Sequence, residues 1–158
     1  MFKKILVPLD GSNLAAKVIS QTEDLAKAFN AQLVLMTVGS AAVGEVGESS
    51  PEAANEAVAR LPAVKYLEQT VAALKAKNLN ATWTYKQGAS PAREIVAYAA
   101  DRQVDLIVMA THGAGEIAWV LGSVAEKVVS HAPVPVLLIR VLLPKPPEHK
   151  SELDYFSM

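Results

Sequence analysis

Cysteine is absent from the 158-residue chain, which excludes disulfides, cysteine-ligated zinc and thiol catalysis. Charge of one sign is also missing. Fifteen Lys and Arg stand against sixteen Asp and Glu, for a formal net charge of −1. Non-specific nucleic-acid binding needs a dense basic surface, and the sequence has no Lys/Arg cluster to build one, so nucleic acid is not an expected partner. No stretch approaches the roughly 20 apolar residues of a membrane span. The ILVPL run behind Lys3 and Lys4 is too short for the apolar core of a secretory signal. A cytoplasmic protein without a membrane partner is the expectation. The phosphate-loop pattern G-x-x-x-x-G-K-[ST] is absent, because no lysine follows a glycine at that spacing. No nucleophile, base and orienting group form a recognisable catalytic set.

What is present reads as one domain with one core. The chain is 51% hydrophobic and 20% charged, as in ordinary globular proteins, and its length suits a single core. Apolar runs alternate with helix-like segments. KKILVPL (3–9), QLVLMTV (32–38), ATWTYKQ (81–87), VDLIVMAT (104–111) and PVPVLLIRV (133–141) read as strands. Uninterrupted apolar runs indicate burial on both faces, hence a parallel sheet covered by helices. ATWTYKQ alternates instead, which suits an edge.

Helix signals fall between the runs. Ser12 is placed to cap a helix through about Phe29, with Leu14, Val18, Leu25 and Phe29 on one stripe. Ser50-Pro51-Glu52 combines a cap, a proline at the first helical position and an acid in the first turn. Pro62 predicts a kink or break, followed by a helix to about Lys77 with Val64, Leu67, Val71 and Leu74 inward. Ser90-Pro91 opens another helix, and a last one runs from about Gly122 to His131. The order β-α-β-α-β-α-β-α-β makes an α/β fold: a doubly wound, five-stranded parallel sheet with helices on both faces. The domain is expected over 1–143, with a Pro- and charge-rich tail over 144–158. Residues 39–50 (GSAAVGEVGESS) read as a loop.

In such a sheet the ligand crevice lies beyond the strand C-termini, where the winding direction reverses. That rule selects Leu9-Asp10-Gly11, Thr37-Val38-Gly39 and the segment from Ala110 to Ser123. The last of these, with Gly113, Gly115 and Gly122 ahead of Ser123, has two readings. It is either a phosphate loop ending on a helix N-terminus or a tight turn in which Ser123 is an ordinary N-cap. Gly113-x-Gly115-x-x-Ala118 also matches a dinucleotide fingerprint, but it follows the fourth strand, and no acid ends the next strand to hold a ribose. Asp10 suits either a ribose acceptor or a cap for the first helix, together with Ser12. His112 suits a phosphate donor, a metal ligand or a solvated loop residue. His131 suits the helix C-terminus, where a cation is favoured. Trp119 reads as a loop or interface anchor, and Glu126 and Lys127 as a solvated helix face.

KKILVPLDGS, the Gly-x-x-Pro-x-x-x-Ile segment from Gly88 to Ile95, and THG…LGSVAEKVVSHAPVPVLLIR together resemble the universal stress protein family over about residues 2–141. The resemblance implies the strand order 3-2-1-4-5 and a homodimer formed through the last strand. One branch of that family binds ATP through G-x-x-G, nine residues, then G-[ST]. Here the first position is Ala110, and eight residues rather than nine separate Gly113 from Gly122. The resemblance implies a nucleotide site at Pro8, Asp10, Val38, Met109, Ala110, His112, Gly113, Gly122, Ser123 and Val124. Asp10 would lie near the adenosine, and the Val38 backbone at the adenine edge. The ligand would be ATP or AMP, with or without Mg²⁺; no metal site is expected from the protein's own residues. The implied function is a homodimeric, nucleotide-binding regulator of the stress response. The alternative is a dimeric interaction protein of the same family that binds no nucleotide. No catalytic residues are expected, and slow hydrolysis of bound ATP is the one catalytic option. Val136, Leu138 and their neighbours are expected to pack across the dimer axis, and the tail, through Leu153, Tyr155, Phe156 and Met158, to reach onto the partner.

Overall fold

The computed structural model describes residues 1–12, 14–39, 58–59, 61–111 and 121–140, with residues 14–16 as backbone only. The helix start at Ser50-Pro51, most of the 39–50 loop, His112, Gly113, Gly115, Ala118, Trp119 and the tail lie outside the described residues.

The elements run β1 (Lys4–Pro8), α1 (Leu14–Phe29), β2 (Gln32–Gly39), α2 (Pro62–Ala76), β3 (Ala81–Gln87), α3 (Pro91–Asp101), β4 (Leu106–Ala110), α4 (Ser123–His131) and β5 (Val136–Ile139). All strand pairs are parallel, and the sheet order is β3-β2-β1-β4-β5. The winding reverses between β1 and β4.

Alternation along each strand divides the core in two. Ile5, Val7, Leu33, Leu35, Leu106 and Val108 point to one face, where they meet Val18, Ile19 and Ala26 of α1 and Leu67, Val71 and Leu74 of α2. Leu6, Val34, Met36, Ile107 and Met109 point to the other, against Ala92, Ile95 and Ala99 of α3 and Ala125 and Val128 of α4. The inward stripe of α2 is Val64, Leu67, Val71 and Leu74, as its periodicity predicts. Pro62 opens this helix, with Leu61 as the extended cap residue; at a first helical position the missing N–H costs nothing.

Three expectations need correction. The described part of helix α1 begins at Leu14, and Ser12 makes no side-chain cap bond to it. The Ser12 amide donates to Asp10 Oδ1 at 2.9 Å, and the buried Ser12 hydroxyl has no hydrogen-bond partner. The acid therefore makes the local turn, and the serine does not cap. In α4 the cap residue is Gly122, and Ser123 is the first helical residue. Strand β5 is only four residues long, VLLI. Val136 and Leu138 lie against the protein's own α3/α4 cluster, whereas Leu137 is 40% exposed. Leu137 is therefore the most exposed apolar side chain of this strand.

Candidate functional site

The pairing of the two central strands ends at one proline. Lys3 accepts from Gln32 of β2 and Lys4 accepts from Asp105, at the start of β4. Backbone polar groups alternate sides along a strand, so odd residues of β1 face β2 and even ones face β4. Pro8 is even, and the N–H it lacks would have pointed at β4. The β1–β4 ladder accordingly pairs only Ile5 with Leu106 and Leu6 with Ile107, while β1–β2 continues to Pro8–Met36. Past Leu6 the two central strands are no longer laced together, at the point where the winding reverses.

The β2 side of the crevice is held by two bonds at Leu9. Its amide donates to the Met36 carbonyl at 2.8 Å, and its carbonyl accepts the Thr37 hydroxyl at 3.1 Å. Thr37 is one of two buried polar residues of the described structure; the other, Thr22, donates to Val18 within α1. Gly11, at φ +80°, then turns the chain out of β1 toward α1, a backbone region that favours glycine. This leaves the exposed Asp10 carboxylate at the crevice mouth. Val38 lies two residues beyond Met36, so its N–H and C=O also point to the β1 side, past the last paired residue of β1. At Gly39 an added Cβ would overlap the Tyr85 phenol oxygen, so a larger residue there would displace the Tyr85 side chain.

The β4 side ends on Ala110, which pairs with Ile139. It has no positive φ, so alanine replaces glycine here without backbone strain, and it packs against the α1/α2 cluster. After it, the Thr111 amide donates to the Ile139 carbonyl at 3.1 Å, and the Thr111 carbonyl accepts the Gly122 amide at 2.7 Å. Gly122 has φ −61° and ψ 149° and makes no side-chain cap bond. Its carbonyl takes the first intrahelical bond, from Glu126, at 2.9 Å. The amides of Ser123, Val124 and Ala125 follow, in the first-turn positions that have no intrahelical acceptor.

The expected site residues thus come together in part. Pro8, Asp10, Val38, Ala110, Gly122 and Ser123 share the C-terminal end of the sheet. Val38, Met109 and Val124 meet in one apolar cluster on the α3/α4 face. His112 and Gly113 lie outside the described residues. Gly122 differs from expectation, because its amide is already spent on Thr111. Glu126 and Lys127 are exposed, and His131 Nδ1 lies 2.9 Å from the Lys127 carbonyl at the end of α4. Thr37 and Thr111 lie in the segments that the crevice rule selects, but the sequence assigns neither a role. A threonine inside the apolar run QLVLMTV was the available signal for the first.

The arrangement offers an apolar floor, a carboxylate acceptor, a strand-end peptide group and a helix N-terminus that favours an anion. Among the described residues no group of three or more His, Asp or Glu side chains could hold a metal ion, and no helix is long and apolar enough to cross a membrane.

Comparison with known proteins agrees with this architecture. A universal stress protein of Methanocaldococcus jannaschii is 34% identical over 149 residues, covering 89% of this chain and 83% of the relative. The solved structure of universal stress protein UspA from Lactobacillus plantarum is 26% identical and superposes with a TM-score of 0.69, over 88% of this chain and 98% of that one. Two more distant structures share the fold. One is a universal stress protein in complex with cAMP (24% identity, TM-score 0.64, 87% and 96% covered). The other is an Archaeoglobus fulgidus universal stress protein in complex with dAMP (20%, 0.62, 87% and 97%). The model of the universal stress protein family matches residues 1–140, and the chain belongs to that family.

Proposed function

We propose that this protein binds an adenine nucleotide in the strand-end crevice and acts as a homodimeric regulator through binding rather than turnover. The observation that carries the reading is the parting of β1 and β4 after Leu6 and Ile107, opposite the N-terminus of α4. The donor set suits adenosine. The Val38 peptide can accept from an exocyclic amine and donate to a ring nitrogen. Asp10 can accept from ribose hydroxyls, and Pro8, Met109 and Val124 supply apolar surface for a base. The amides of Ser123 to Ala125 suit the phosphate nearest the ribose. The relatives bound to cAMP and dAMP are consistent with an adenine monophosphate as the common denominator.

Titration calorimetry of the full chain with AMP and ATP tests this. Saturable binding of either at micromolar to millimolar concentration is expected, weakened at least tenfold by Asp10→Ala. Absence of heat and of dialysis retention with both nucleotides overturns it.

One observation favours the second reading, a dimeric interaction protein without nucleotide. The Gly122 amide serves Thr111, so one of the donors expected to meet phosphate closes the chain on itself instead. The same calorimetry separates the two readings.

A further inference from the structure

We propose that Thr111 couples the occupied α4 N-terminus to the β5 edge, so that nucleotide and strand-edge pairing strengthen each other. The coupling rests on the nucleotide and dimer reading above. Helix α4 and strand β5 are consecutive, joined by the short link 132–135 at one end. At the other end both are held by a single peptide unit each side of Thr111. Its carbonyl takes the amide of Gly122, the α4 cap residue, at 2.7 Å, and its amide reaches the carbonyl of Ile139, the last residue of β5, at 3.1 Å. The α4–β5 pair is therefore closed into a ring, covalently at one end and through Thr111 at the other. The helix cannot move its N-terminus toward or away from the crevice without pulling on the end of β5.

Strand β5 is laced to β4 from Ile107–Val136 to Ala110–Ile139, and the Thr111–Ile139 bond is the rung that closes this ladder at the crevice end. The strand is four residues long and is the edge of the sheet. Ile107 donates to the Pro135 carbonyl, so by alternation the peptide groups of Val136 and Leu138 face outward, where a second copy would pair. An anion on the Ser123–Ala125 amides would fix the helix N-terminus, and through Thr111 the position of Ile139 at the end of that edge. Thermodynamic linkage makes the effect reciprocal: the dimer must bind nucleotide more tightly by the factor by which nucleotide tightens the dimer.

The test measures AMP affinity by calorimetry and the dimer constant by sedimentation, with and without saturating AMP, on wild type and Thr111→Pro. Proline removes the amide bonded to Ile139 and keeps the carbonyl bonded to Gly122. In wild type, AMP should tighten the dimer by about fivefold or more, the low end of ordinary allosteric coupling. In Thr111→Pro, AMP should bind with about the affinity of the uncoupled wild-type monomer, measured at dilution, and leave the dimer constant unchanged. Wild type that binds AMP with no change in dimer constant overturns the coupling alone, whereas wild type that binds no nucleotide overturns the functional reading and the coupling with it. A Thr111→Pro dimer that still responds to AMP assigns the coupling to another route and overturns the role of Thr111. Hydrogen exchange of the Thr111 amide in wild type, readable even if the variant fails to fold, should slow when AMP is added; an unchanged rate also overturns the proposal.

Discussion

The Thr37 hydroxyl donates to the Leu9 carbonyl at 3.1 Å, joining the end of β2 to the residue just past β1. Thr37 is 6% exposed, so the carbonyl and hydroxyl satisfy each other out of reach of bulk water. Thr37→Val keeps the shape and removes the donor. The expected cost is about 1–2 kcal/mol, that of a buried polar group losing its partner. A urea midpoint equal to that of wild type would show that water or another donor replaces the hydroxyl.

Asp105 makes a second tie, at the opposite end of β1. Its Oδ2 accepts the amides of both Lys3 and Lys4 at 2.8 Å. The amide of Lys3, then that of Lys4, holds the carboxyl below its ordinary value. A depressed carboxyl stabilises the fold above the unfolded value of about 3.9, and that contribution disappears as pH falls through the lower folded value. Asp105→Ala should cost about 1 kcal/mol at pH 7, a modest figure because the site is open to solvent. It should also flatten the acid limb of the stability curve below about pH 4. Parallel acid limbs for variant and wild type would assign the acid sensitivity to other carboxylates.

Nucleotide preference follows from the committed Gly122 amide and the shortened segment before it. Both weaken contacts to the outer phosphates and leave those to the adenosine intact. AMP should therefore bind within about a hundredfold of ATP, a difference below roughly 2.7 kcal/mol. A larger ATP preference, measured by competition, would mean that other donors replace the missing ones.

Gly122→Val should abolish binding of both nucleotides while the chain still folds. The backbone angles at this position are accessible to any residue, so the obstacle is the bulk of the side chain at a buried point. Equal ATP affinity in a folded Gly122→Val protein would remove α4 from the site.

For the dimer, the exposed Leu137 is the residue to change. Leu137→Lys places a charge where two copies would meet and leaves the monomer core alone. The dimer should weaken by at least tenfold in sedimentation. Leu138→Lys, by contrast, should destabilise the monomer, because Leu138 packs against the α3/α4 cluster. A Leu137→Lys dimer as tight as wild type would place the association surface elsewhere.

Local pattern was enough for much of this protein. The apolar runs mark β1, β2 and β4 because a central strand buried on both faces has to be apolar throughout, and the alternation of ATWTYKQ marks β3 as an edge. The 3.6-residue period of Val64, Leu67, Val71 and Leu74 identifies the buried face of α2, since that period is a property of the helix itself. The end segments carry the family likeness, and with it the strand order. Other features needed the tertiary structure, because they depend on which neighbour a given peptide group faces. Pro8 ends the β1–β4 ladder only because its missing donor lies on the β4 side, which register alone determines. Gly122 rather than Ser123 is the cap residue of α4, extended in backbone and held by its amide to Thr111. Thr37 is a tie rather than an anomaly in an apolar run because Leu9 ends opposite it. Leu137 is exposed and Leu138 is not, since the two point to opposite faces of an edge strand and only one of those faces is covered there. Each of these rests on a partner distant in sequence, and neither composition nor periodicity records such pairings.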